Sequence, residues 1–416
     1  MTAPSPSPAP SPAPAPVPAL PPRITNPELK AKTEVRAVRT RRDLREFLNA
    51  PWKVHWGDPY FVPRLVAEER WFLDPARNPF FRHAERELFI AKHGEPSTVG
   101  TIAACIDRDF DAARGVRAGF FGFFDFLHDA RVPEALLRAA VAWLRERGAV
   151  EIYGPCQLAP SHEAGLLVDG FQDDPAILTP YNPAGYASHF QRLGLEPWQD
   201  LLAYEVAPGP APERLRRAAE GAARRHGAGA ATALAVRPLD RRRLREETLL
   251  LRRIHEEAWR HGPLGRPVRE EEALALAERL RTALDPAVAL VLEAGGEPQA
   301  FAVALPDLNP VVKELNGRLY PFGWLKLRLA RHAVDRARIA LVCARDGARR
   351  RPGLVAPLLL ALWEGLAARR YARVEISPVL GSDRRTRALL ERLGARRTKT
   401  WRLFRVPPGW QGPSEA

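Results

Sequence analysis

Two stretches decide the fold: Arg192-Leu193-Gly194-Leu-Glu-Pro-Trp-Gln-Asp-Leu-Leu-Ala-Tyr204-Glu205-Val206 and Arg392-Leu393-Gly394-Ala-Arg-Arg-Thr-Lys-Thr-Trp-Arg-Leu-Phe404-Arg405-Val406. They align without a gap. Working outward, the turn Gly94-Glu95-Pro96 is matched by Gly296-Glu297-Pro298, and the strand-like run Val99–Asp107 by Gln299–Asp307. Between these landmarks a helix-period run, Ala135–Arg147 and then Pro357–Arg369, leads in each half to a short strand at Val150–Ile152 and Val374–Ile376. Both halves therefore read strand, strand, helix, strand, helix, strand, the pattern of an α/β or α+β unit. Self-similarity of this kind marks two copies of one unit. The expected division is a tail at 1–33, a first repeat at 34–206, a linker at 207–232, a second repeat at 233–406 and a C-terminal tail at 407–416.

Composition agrees. A chain of 416 residues is too long for one ordinary core. From Pro4 to Pro18 every second residue is proline, which favours extended, solvated chain and excludes a packed element, so a disordered tail is expected there. No window has the apolar length of a membrane span and no secretory leader is legible, so the expected location is the cytoplasm. Cys105, Cys156 and Cys343 lie far apart in apolar runs, a pattern of buried thiols with neither a disulfide framework nor a structural metal. The net charge of +14 is nearly all arginine, spread over helices instead of gathered in an aromatic-interleaved stripe. That distribution argues against nucleic acid and suits acidic ligands such as CoA phosphates or an anionic membrane surface.

One strand-to-helix junction carries a ligand signature. Ile339-Ala340-Leu341-Val342-Cys343 runs into Arg350-Arg351-Pro352-Gly353-Leu354-Val355, followed by the helix from Pro357. Free N–H groups at a helix start bind anions, glycine lets backbone approach a phosphate, and arginine adds charge. This loop resembles the Arg/Gln-x-x-Gly-x-Gly/Ala loop of the GNAT acetyltransferase superfamily. The resemblance implies two GNAT-like domains, each a mixed central sheet flanked by helices, and assigns Arg350, Arg351, Gly353, Leu354 and Val355 to CoA. Val355 departs from the small residue usual at its place. Asp383–Gly394 resembles the GNAT Asn-x-x-Ala-x-x-x-Tyr-x-x-x-Gly motif, whose tyrosine protonates the leaving thiolate. Leu390 stands at that place here, and Phe190 does in the first repeat. In the first repeat the corresponding junction, Leu127–Pro133, has no glycine loop.

The first repeat has instead an insertion, Gly154–Pro183. With Gly119–Phe124 and Asn316–Lys326 it resembles a bacterial branch of tandem GNAT-like proteins that is similar to bacterial ceramide synthases. That likeness implies acyl-CoA-dependent N-acylation of an amine, a lipid amine of the sphingoid type among the candidates. N-acylation needs a base for the amine and a proton for the thiolate. Glu163 is the candidate base, Tyr181 the candidate acid, and His162 a candidate base or orienter; no metal is called for. The aromatic and basic segment Leu308–Arg338, with Tyr320, Phe322, Trp324 and Arg328, is the candidate for peripheral contact with an anionic membrane. Two other readings stay open: aminoacyl transfer from tRNA, and a non-catalytic protein that binds acyl-CoA or a partner.

Overall fold

A computed structural model describes residues 33–94, 98–226, 233–319, 322–330 and 333–412. The Pro/Ala tail, the end of the linker, and Tyr320, Arg331 and His332 of the aromatic segment lie outside the described residues.

Among the described residues, thirteen strands form one sheet. They are β1 (Glu34–Ala37), β2 (Ala84–Lys92), β3 (Thr98–Asp107), β4 (Ala118–Phe126), β5 (Glu151–Gly154), β6 (Leu166–Asp169), β7 (Glu196–Val206), β8 (Leu234–Pro238), β9 (Ala289–Ala294), β10 (Glu297–Pro306), β11 (Arg336–Ala344), β12 (Arg373–Leu380) and β13 (Arg396–Val406). Their order is β1-β2-β3-β4-β5-β13-β7-β12-β11-β10-β9-β8, with β6 beside β13. Helices cover both faces. In the first half, helix 131–146 packs Leu136, Leu137 and Leu144 on one face while helix 41–54 packs Phe47 and Leu48 on the other. In the second half, helix 356–368 and helix 244–259 play the same parts. A strand covered on both faces has no polar side, which is why every residue of β3 is buried.

The order contains an exchange. The closing strand of the first repeat, β7, pairs with β12 of the second, and the closing strand of the second, β13, pairs with β5 of the first. Each half of the sheet is thus completed by the closing strand of the other half of the chain, and the expected linker 207–232 contains helix 213–226 with Leu215, Ala219 and Ala222 buried. Charge favours the central pairing: β7 carries Glu196, Asp200 and Glu205, while β13 carries Arg396, Arg402 and Arg405. Arg402 meets Asp200 at 2.7 Å and Arg405 meets Glu196 at 2.6 Å.

Candidate functional site

The two strand-to-helix junctions differ in one physical respect. In the first repeat β4 and β5 run parallel from Ala118↔Glu151 to Phe120↔Tyr153. The chain leaving β5 then stays on β4: the Cys156 N–H donates to the Phe121 carbonyl at 2.8 Å. A Cβ on Gly122 would stand 1.7 Å from the Cys156 carbonyl oxygen, so only glycine permits this approach. The fork between the strands is filled by backbone. Helix 131–146 begins without an N-cap side chain, but a carboxylate stands at its start: Asp129 accepts the Arg131 N–H at 3.0 Å and pairs with the Arg131 guanidinium at 2.7 Å.

In the second repeat β11 and β12 pair in parallel only from Arg336↔Arg373 to Ile339↔Ile376. β11 continues to Ala344 with Val342 exposed, paired on one side by β10, while no described strand pairs its β12-side edge beyond Ile339. Helix 356–368 begins without a side-chain cap. Before it, Arg350, Arg351 and Gly353 are exposed, and Gly353 takes a positive φ of 76° that a side chain would strain. Leu354 is fully buried and pins the loop to the core. Val355 packs against that same core, so its bulk is absorbed there. Arg225, from helix 213–226, reaches the loop and donates to the Pro352 carbonyl at 3.3 Å. An open strand edge thus leads to a basic, uncapped helix start, a combination suited to an extended chain ending in phosphates.

The insertion of the first repeat lies over this open fork. Its first part is a tight hairpin in which Gln157 N–H donates to the Glu163 carbonyl at 2.9 Å and Gly165 N–H to the Pro155 carbonyl at 2.7 Å. The hairpin presents Glu163, whose carboxylate accepts from Arg64 Nη2 at 2.7 Å. Its second part is clamped by the other repeat. Asp307 accepts the Ile177 N–H at 3.0 Å, Lys313 meets Asp174 at 2.6 Å, and Lys399 donates to the Asp174 carbonyl at 3.0 Å. Arg338 sits where β11 and β12 part. It donates to the Ile177 and Leu178 carbonyls at 2.8 and 2.9 Å, and to the Ser377 carbonyl at 3.0 Å. The Glu163 carboxylate is among the charges acting on Arg338. Glu163 and the fork therefore share one region although they come from different repeats.

Around Glu163 stand groups that the sequence reading did not single out. Arg64 Nε lies 3.3 Å from Glu69, and its guanidinium faces Phe123, whose φ is positive. Burial, with the neighbouring Glu163 and Asp125 carboxylates, raises the Glu69 carboxyl to about 7 against the opposing pull of Arg64. His55 Nε2 lies 2.9 Å from Asp125, and the imidazole stacks on Phe61 at 4.3 Å. Nothing in the spacing of Arg64 and Glu69, about a hundred residues before Glu163, could have joined them. Tyr181 donates to Asp58 at 2.7 Å; burial and that carboxylate push its phenol well above the ordinary tyrosine range. His162 lies edge-on to Phe72 and Phe80, with centroids at 5.0 and 4.9 Å. Burial and the Arg266 charge lower it to about 3, which keeps the ring neutral and makes it a weak base. Of Gly119–Phe124, the rings of Phe120, Phe121 and Phe124 are buried and Phe123 is only partly so.

A second charged cluster binds the repeats together. His83, Asp109 and Glu272 bring ligand-type atoms within 4.8 Å of one another. Burial opposes a charge on His83, but hydrogen bonds to Asp107 and Glu272 at 2.9 Å outweigh it and raise the imidazole to about 9. Arg266 pairs with Asp107 and Glu272, and Arg269 meets Asp109 at 2.7 Å. A protonated imidazole offers no lone pair to a cation, and the carboxylates already have partners. The cluster is an ionic latch.

Protein YghO of Escherichia coli (strain K12) is 33% identical over 380 residues, covering 89% of this chain and 94% of that one. The bacterial ceramide synthase of Caulobacter vibrioides is 33% identical over 384 residues, covering 90% and 97%. The chain belongs to the tandem GNAT-like family of these two proteins. Among solved structures, a tandem GNAT protein from the clavulanic acid biosynthesis pathway superposes with a TM-score of 0.51 at 12% identity, over 91% of this chain and 99% of that one. No family model matches the sequence. The fold is that of tandem GNAT proteins.

Proposed function

We propose that the protein is an acyl-CoA-dependent N-acyltransferase in which the second repeat holds the donor and the first supplies the acceptor chemistry. One observation carries this reading: Arg338, where the β11/β12 fork opens toward a basic helix start, is bound by the same insertion of the other repeat that presents the Glu163 carboxylate. Arg350 and Arg351, with the backbone of Gly353, Leu354 and Val355, hold the CoA phosphates, while the acyl arm follows the free edge of β11. Free N–H groups of that edge polarise the thioester carbonyl. Glu163, fixed by Arg64, takes the proton from the attacking amine. Tyr181 and Asp58 line the acceptor side, and His162 supports the hairpin as a packing group. Release of CoA thiol from acetyl- and long-chain acyl-CoA, measured against a panel of amines with mass detection of the amide, tests the reading; absence of amide with every amine sinks it.

The acceptor is a lipid amine, the class that the Caulobacter relative, a bacterial ceramide synthase, takes by its name. No described helix is long and apolar enough to cross a membrane. Helix 323–330 leaves Trp324, Leu325 and Leu329 exposed, and Phe322 just before it is 73% exposed. Trp52 donates to Asn316 at 2.7 Å, which places this segment beside helix 41–54 and the exposed Trp56 that follows it. Exposed aromatic side chains beside Lys326 and Arg328 suit peripheral contact with an anionic bilayer. Trp324→Ala with Phe322→Ala should lower co-sedimentation with anionic vesicles and spare turnover of a soluble amine; equal sedimentation would remove the membrane role.

A further inference from the structure

Neither repeat carries the tyrosine that would protonate a departing thiolate, since Leu390 and Phe190 occupy its places and both are buried. Tyr181 is engaged with Asp58 and is a poorer acid than an ordinary phenol. The site nevertheless contains two carboxyl groups bridged by one guanidinium. Arg64 holds Glu163 through Nη2 at 2.7 Å and approaches Glu69 through Nε at 3.3 Å. Helix 66–72 carries Glu69 into a buried position, and the hairpin brings Glu163 to the other side of the same guanidinium. The other charged group acting on Glu69 is Asp125 of β4, itself bound to His55 of the adjoining turn; Glu68, the next residue on its own helix, pairs outward with Arg279 at 2.6 Å.

We propose that Glu69 is a catalytic acid that gives its proton to the leaving thiolate, paired with Glu163 as base across Arg64. The inference rests on the acyltransferase reading above. One positive charge cannot satisfy two carboxylates equally in a dry site, so Glu69, which Arg64 approaches only to 3.3 Å against 2.7 Å for Glu163, keeps its proton near neutral pH. The step balances. The neutral amine nitrogen attacks the thioester carbonyl and a C–N bond forms, while a nitrogen proton passes to the Glu163 carboxylate. Collapse breaks the C–S bond, whose electron pair goes to sulfur, and sulfur takes the Glu69 proton. Amide and free thiol leave, and the proton on Glu163 returns to Glu69 through water.

The test uses the full chain with two donors of the same acyl group: acyl-CoA, whose alkyl thiolate needs a proton to leave, and an acyl aryl thioester, whose thiolate leaves without one. With acyl-CoA the parent's kcat/KM should fall above about pH 7, where Glu69 loses its proton, and with the aryl donor that fall should vanish. Glu69→Gln should lower turnover of acyl-CoA at least ~100-fold and leave aryl-thioester turnover at the parental level. Equal loss with both donors would mean Glu69 only supports the fold, and an alkaline limb shared by both donors would overturn the proposal without any variant. If Glu69→Gln does not fold, the parent's donor-dependent pH profile decides. A parent inactive with both donors overturns the acyltransferase reading itself, a result distinct from an active parent indifferent to Glu69.

Discussion

The first repeat's fork and the second repeat's fork are the same piece of topology put to opposite uses. In the first, Cys156 bonds to Phe121, Gly122 admits the crossing backbone, and Asp129 neutralises the helix start. In the second, the strand edge is open toward β12, and at the helix start Arg350 and Arg351 stand in place of an aspartate. A carboxylate at a helix N-terminus fills the seat that a phosphate would take. In the proposed reading, one copy keeps donor binding while the other uses the space for an insertion that reaches across. On that reading neither copy contains a whole site.

Four substitutions test that division of labour. The largest effect falls on the closed side. Glu163→Gln should lower turnover by roughly 10²–10⁴ while CoA affinity, read by calorimetry, stays at the parental value. Loss of CoA binding in that variant would mean the two repeats do not divide the work in this way.

Next comes the latch that holds the repeats in register. His83 is raised from 6.5 to about 9, so its stabilisation is complete below pH 6.5 and is lost as pH rises through 9. The integrated effect is on the order of 3 kcal/mol. Denaturant midpoints measured across that window should fall for the parent and stay flat for His83→Gln. Parallel curves would show that the imidazole is not protonated in the folded chain.

On the open side, Gly353→Asp adds a like charge and a side chain at a positive φ. It should weaken CoA binding at least tenfold, about 1.4 kcal/mol. Unchanged affinity would move the donor to the first repeat and reverse the comparison. The smallest effect is its mirror image: Asp129→Ala removes the acceptor of the Arg131 N–H and should cost about 1 kcal/mol of stability with no change in CoA affinity. A gain of CoA binding there would show that the aspartate alone had closed the first fork.

Much of the fold was legible. Matching Leu-Gly-to-Val runs and repeated Gly-Glu-Pro turns identify the duplication, and period-3.6 segments place helices 131–146 and 356–368 within a few residues. The glycine loop at Gly353 was legible because backbone geometry there demands glycine. The role of Val355 was not. Sequence could only note its bulk, whereas the fold turns that bulk onto the core. The insertion was legible as an insertion, and Glu163 as a polar residue in a glycine-bounded turn. His162, its neighbour, carries equal chemical promise in one dimension, yet two phenylalanines enclose it and hold it neutral.

The sequence by itself determined the repeat, the strand and helix periods and the basic loop, because these depend on local pattern and on residue types a few positions apart. Tertiary structure alone decided that β7 and β13 change places, that the first repeat's insertion lies over the second repeat's fork, and that Arg64 joins Glu69 to Glu163. Strand pairing and ion pairing across the chain depend on which surfaces meet when two cores bury their apolar faces. The alternating charges of β7 and β13 hint at that outcome, but a hint becomes a contact only when folding brings the strands within hydrogen-bonding reach.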